Sequence, residues 1–190
     1  LEAKEQIVDN IFVEAKKREY EISEFILQSF SKGVISAGKV ERTPIGEKIS
    51  IWTRRPGLVI GKLGSKLQEL TEFLKAKFQL ENPQLEVLEL EQVEFDAKTI
   101  ADRIALALER YGPLKFKLIA YRELGNLVKA GALGAEIRLS GRLPSERAKS
   151  WRFAFGLLKK TGADLSIVNN AQARAITRPG MVGIKVMLIP

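Results

Sequence analysis

The stretch with most chemistry to offer reads Arg54-Arg55-Pro56-Gly57-Leu58-Val59-Ile60-Gly61-Lys62-Leu63-Gly64-Ser65-Lys66. Gly61 and Gly64 make a bend without Cβ atoms, so a sugar-phosphate chain can approach the main chain, whose amides point outward at a helix start. Arg54, Arg55, Lys62 and Lys66 surround that bend with positive charge. This chemistry is binding of a polyanion backbone, not turnover. The tetrapeptide alone also fits an ordinary tight turn between two helices. The clustered cations favour the anion-binding reading.

Composition narrows the alternatives. The 190 residues include no cysteine and no histidine, which removes thiolate nucleophiles, disulfides, the imidazole proton shuttle and the commonest zinc ligands. The remaining routes to catalysis are a carboxylate, a lysine or a carboxylate-magnesium mechanism, and the acids lie mostly among bases on helix surfaces. We expect no catalytic residue, metal or cofactor. The net charge is +8, and it is unevenly spread: residues 1–96 hold 14 Lys+Arg against 17 Asp+Glu, residues 97–190 hold 17 against 6. A half so basic repels itself unless a polyanion neutralises it; the plainer alternative is a solvated surface. No apolar run reaches the roughly 18 to 20 residues of a membrane span. The first residues are acidic and amphipathic, so a cytoplasmic location without a membrane partner is expected.

The elements that must position these residues follow from periodicity. Apolar residues at Ile7, Val8, Ile11, Phe12, Ala15, Ile22, Phe25, Ile26 and Phe30 keep helical spacing, as one helix or two. Val34–Thr43 and Lys48–Arg54 read as strands joined at Pro44 and Gly46. After the glycine loop, Leu63, Leu67, Leu70, Leu74 and Phe78 form one apolar helix stripe. A strand near Leu85–Leu90 follows. Asp96 is an N-cap for a helix to Tyr111. A further helix, about Leu114–Lys129, bears Lys115, Lys117 and Arg122. Segments 135–143, 148–157, 163–177 and 182–189 complete a mainly antiparallel sheet. In this sheet Arg138, Arg142, Arg147, Lys149 and Arg152 are expected to set several cations on one face. Core packing is expected for most of Trp52, Trp151, Phe153 and Phe155, and none is taken as a base-stacking platform.

Strand, glycine loop, amphipathic helix and strand, in that order, resemble a KH domain, whose loop clamps a nucleic-acid backbone. A longer likeness covers about Phe12 to Pro190. Arg55–Gly64, Glu81-Asn82-Pro83-Gln84-Leu85, Asp96-Ala97-Lys98, Ala107-Leu108-Glu109-Arg110, Gly134–Leu143, Glu146–Ser150 and Gly183-Ile184-Lys185-Val186 together resemble the third protein of the small ribosomal subunit, of archaeal and eukaryotic type. The resemblance implies an α+β chain: an N-terminal type II KH domain with its leading helix (1–112), then a C-terminal α/β domain with a helix on a mainly antiparallel sheet (113–190). It implies a structural constituent of the small-subunit head that binds ribosomal RNA and neighbouring head proteins. It also implies basic side chains on the messenger RNA entry path, on the helix segment where Lys115, Phe116 and Lys117 fall. Leu118 stands where the family often carries arginine, and Tyr111-Gly112-Pro113 is about two residues longer. Two alternatives stay open: a free-standing KH factor for single-stranded RNA, and a magnesium-dependent nuclease.

Overall fold

The computed structural model describes residues 2–43, 46–80 and 82–190, with side chains from Phe12 onward except that of Asp164. Pro44 of the expected turn and Glu81 lie outside the described residues, as do the side chains of Ile7, Val8 and Ile11. The chain divides into two compact units, Leu1–Leu90 and Glu91–Pro190.

In the first unit the amphipathic opening forms a single helix, α1 (Glu2–Ser29). It is followed by β1 (Ile35–Thr43) and β2 (Gly46–Thr53), then the short α2 (Pro56–Ile60), α3 (Ser65–Phe78) and β3 (Gln84–Glu89). β1 pairs with β2 antiparallel, and β2 pairs with β3 in parallel, setting Ile49 beside Leu85 and Ile51 beside Val87. Parallel neighbours need a long crossover. Here the crossover is α2 and α3, so the glycine loop sits at its middle. One apolar face of the sheet closes on Ile22 and Ile26 of α1, Val59 of α2 and Leu70 and Leu74 of α3.

The second unit holds α4 (Ala97–Tyr111), α5 (Phe116–Ala130), β4 (Gly134–Gly141), β5 (Lys149–Gly156), β6 (Asn169–Thr177) and β7 (Gly180–Ile189). The four strands are antiparallel, in the order β5-β4-β7-β6. Asp96 caps α4 as expected, its carboxylate accepting from the Thr99 amide at 2.9 Å. Strand alternation sends Ala135, Ile137, Leu139, Phe153, Ile184, Val186 and Leu188 to one face. There they meet Ile100, Ile104 and Leu108 of α4 and Phe116, Ile119, Leu124 and Leu127 of α5. Both helices therefore lie on the same side of this sheet. The sequence reading gave α4 to the first domain and closed that domain at residue 112. In the structure the chain divides after Leu90, because the apolar stripe of α4 is buried on β6 and β7.

Candidate nucleic-acid interface

The loop is set up by what precedes it. Thr53, buried at the end of β2, donates its hydroxyl to the Val34 carbonyl at 2.6 Å and accepts from the Arg55 amide at 3.2 Å. This turns the chain out of the sheet and leaves Arg54 and Arg55 exposed. Pro56 then starts α2, where its missing N–H costs nothing. The Gly61 amide closes that helix on the Gly57 carbonyl at 3.1 Å.

Gly61 (φ 75°) and Gly64 (φ 80°) both lie in the left-handed region. At Gly61 an added Cβ would stand 2.9 Å from Lys66 Cγ, so the bend is compressed against the Lys66 stem. At Gly64 nothing lies within 4 Å of an added Cβ. The main chain there faces open space. Between them Leu63 also has a positive φ of 53° and is wholly exposed. The apolar stripe expected from Leu63 to Phe78 therefore begins later. α3 starts at Ser65, and helical spacing does not extend back through a left-handed residue. Leu63 belongs to the exposed tip of the loop, between the two glycines.

Arg54, Arg55, Lys62 and Lys66 are all exposed, and among the described residues none pairs with a carboxylate. Elsewhere in this unit Lys48 pairs with Glu86 at 2.9 Å and Lys39 with Glu41 at 2.7 Å. The loop thus combines an open main chain with charge left for an outside anion. Beside it lies a groove of about 630 Å³ between α1, α2 and α3, walled by Phe25, Phe30, Leu58, Leu70 and Phe73. Lys66, Glu69 and Glu72 line it as well, so its apolar walls are flanked by one cation and two carboxylates.

The second unit distributes its cations differently from the expectation of one sheet face. Lys115, Lys117 and Arg122 are exposed on and beside the start of α5, with Lys117 Nζ 5.0 Å from the Trp151 ring centre. Arg138 points from the other side of the sheet, together with Arg152 opposite it on β5. Arg142 and Arg147 lie in the β4–β5 connection, not in a strand. Lys149 begins β5 in step with Trp151 and Phe153, and so falls on the alternate side from Arg152. Trp151, Phe153 and Phe155 pack on the core as expected, with Phe116 5.2 Å from Trp151 and 6.2 Å from Phe153.

Sequence reasoning missed Glu136. This carboxylate is buried in β4, and its Oε2 accepts from Arg152 Nε at 2.8 Å and Lys160 Nζ at 2.5 Å. Arg138 lies 3.7 Å from the other oxygen. Burial alone would raise this carboxyl, but hydrogen bonds and charge from Lys160 and Arg152 outweigh it and hold the group below its ordinary 4.5. A carboxyl lowered on folding contributes stability that is present above the unfolded value and lost as pH falls through the folded one. Glu136→Gln is accordingly expected to cost about 1 to 2 kcal/mol at neutral pH, because its cationic partners can re-solvate. In urea melts the gap from the parent should close as pH drops below about 4.5. A gap that does not narrow at all on acidification below about 4.5 would mean the ion cluster is not its source.

Among the described residues no group of three or more carboxylates is placed to hold a metal ion. No helix among them is long and apolar enough to cross a membrane. A three-stranded sheet with one antiparallel and one parallel pairing, and an exposed glycine loop in its helical crossover, defines a type II KH domain. Here an antiparallel α+β unit follows it. A family model described as KH domain matches residues 17–100, and one described as ribosomal protein S3, C-terminal domain, matches residues 104–188. The chain is 34% identical over 184 residues to small ribosomal subunit protein uS3 of Methanocaldococcus jannaschii, covering 96% of this chain and 88% of the relative. The uS3 of Archaeoglobus fulgidus is 38% identical over 184 residues, with 96% and 79% covered. That of Sulfurisphaera tokodaii is 34% identical over 183 residues, with 96% and 80% covered. The chain belongs to the ribosomal protein S3 family, a family of structural small-subunit proteins rather than enzymes.

Proposed function

We propose that this chain serves the small ribosomal subunit by binding RNA at two places, with the glycine loop holding a single-stranded backbone and the basic second unit anchored on folded ribosomal RNA. The observation that carries this reading is the Gly61–Gly64 bend, which combines open main chain at Gly64 with four cations that have no carboxylate partner among the described residues. Divided at Leu90, the charge supports it further. Residues 1–90 hold 14 Lys+Arg against 14 Asp+Glu, and residues 91–190 hold 17 against 9, so the whole excess of +8 belongs to the second unit. In this reading Lys115, Lys117 and Arg122 face messenger RNA on its way into the subunit, and Arg138, Arg142, Arg147 and Lys149 contact ribosomal RNA. Neighbouring head proteins complete the surroundings, in the cytoplasm.

Sucrose-gradient fractionation of cells making a tagged chain tests the assignment. One copy per small subunit, retained through a wash of moderate salt, is the expected result. A chain that stays at the top of the gradient, bound to free RNA, would instead fit a separate KH factor.

A further inference from the structure

The outer side of α5 carries an apolar stripe that is left uncovered. Leu114, Leu118, Tyr121 and Val128 follow one another at steps of four, three and seven residues, and each is between 55 and 77% exposed. Side chains so spaced stand in line along one side of a helix. Leu114 is in the 3-10 turn Pro113–Lys115 that leads into α5, and the other side of the helix is already packed in the core through Phe116, Ile119, Leu124 and Leu127. At about 1.5 Å per residue the stripe runs about 20 Å. Between Tyr121 and Val128 it passes over Gly125, where an added Cβ would meet nothing within 4 Å. Glycine is a poor helix former, and here neither a positive φ nor a neighbour within the chain calls for it. A missing side chain within an apolar stripe lets another backbone come close.

The charge beside the stripe specifies the partner. By helical spacing Lys117 flanks it on one side, and Arg122 and Lys129 on the other. All three are exposed, and among the described residues none pairs with a carboxylate. The one carboxylate of α5, Glu123, is buried and held by Arg103 at 3.2 Å. A second copy of this chain would set cations against cations. RNA would take the cations and leave the apolar side chains unmatched. A lipid surface binds in proportion to apolar area and gains nothing from a glycine within the stripe. We infer that the outer side of α5 docks an acidic amphipathic helix of another protein. Its apolar side lies along Leu114, Leu118, Tyr121 and Val128, its backbone comes closest at Gly125, and its carboxylates meet Lys117, Arg122 and Lys129. This inference does not rest on the RNA-binding reading; because both use Lys117 and Arg122, helix and messenger exclude one another on α5.

The full chain is titrated at low salt with a labelled peptide of about 18 residues, leucine along one side and glutamate on the other, and with a scramble of the same composition. The amphipathic peptide should bind at least about tenfold more tightly than the scramble. Leu118→Asp should weaken its binding about tenfold. Met181→Asp, at an exposed aliphatic of the β6–β7 hairpin, should leave it within about twofold. Gly125→Leu is the sharper variant, because it enlarges the apolar stripe into open space. The thermal midpoint should not fall, yet peptide binding should weaken about tenfold as the partner backbone is pushed away. Tighter peptide binding in Gly125→Leu, no preference over the scramble, or an equal loss in Met181→Asp overturns the inference. Phosphatidylserine vesicles held more tightly by Gly125→Leu than by the parent, with peptide binding unchanged, would give the stripe to a membrane surface instead. Oligouridine binding that falls as far as peptide binding in Gly125→Leu would give it to RNA.

Discussion

Replacing Lys62 and Leu63 together by aspartate is expected to weaken binding of single-stranded RNA by about ten- to a hundredfold at low salt, with the circular dichroism spectrum unchanged. The loss has two sources: one cation disappears, and two carboxylates appear where phosphates must approach. The fold should survive because neither side chain carries packing; both are exposed, Leu63 completely. Aspartate also accepts a left-handed backbone more readily than leucine, so the φ of 53° at position 63 is no obstacle. Filter binding across a salt series reads both affinity and slope. An affinity equal to the parent's, in a chain that remains folded, would remove the loop from the binding surface.

Phe116→Ala should produce the largest loss of stability among single substitutions in the second unit, about 3 to 5 kcal/mol. Phe116 is 2% exposed at the start of α5 and meets both Trp151 and Phe153 of β5 edge-on or tilted. Truncation leaves a cavity that cannot collapse, since α5 is pinned to α4 by Arg103 and Glu123 at 3.2 Å and to the sheet by Ile119 and Leu124. For a unit of this size the thermal midpoint should fall by roughly 15 °C or more. Phe116→Leu, which refills most of the volume, should cost less than half as much. A loss below about 1 kcal/mol for the alanine variant would mean that Phe116 does not hold α5 on the sheet.

Local signals were read well and long-range ones were not. The cap at Asp96, the alternation of Ile49 and Ile51, and the glycine loop before α3 are decided within a few residues, and the sequence shows them directly. The same local logic misled at Leu63, where an apolar residue four positions before Leu67 looks helical unless the left-handed turn is known. Which sheet receives α4 is not a local question. Ile100, Ile104 and Leu108 announce an apolar stripe, but only the packing on β6 and β7 tells where it lies. The ion cluster at Glu136 has a similar character. Glu136 is visible as the acid two before Arg138. Its meeting with Arg152 depends on strand register across segments far apart in the chain. Arg142, Arg147 and Lys149 were grouped with Arg138 because the sequence does not fix where β4 ends.

The balance of 14 cations and 14 anions in the first unit, beside the surplus in the second, sets an order of events when the chain meets RNA. A neutral body feels little of a polyanion beyond about 8 Å at physiological salt, whereas a strongly charged one is drawn in and oriented during diffusion. On the two-site reading proposed above, arrival belongs to the C-terminal half, and capture of a strand by the glycine bend comes afterward, at short range. Raising ionic strength should therefore slow association far more than it hastens departure.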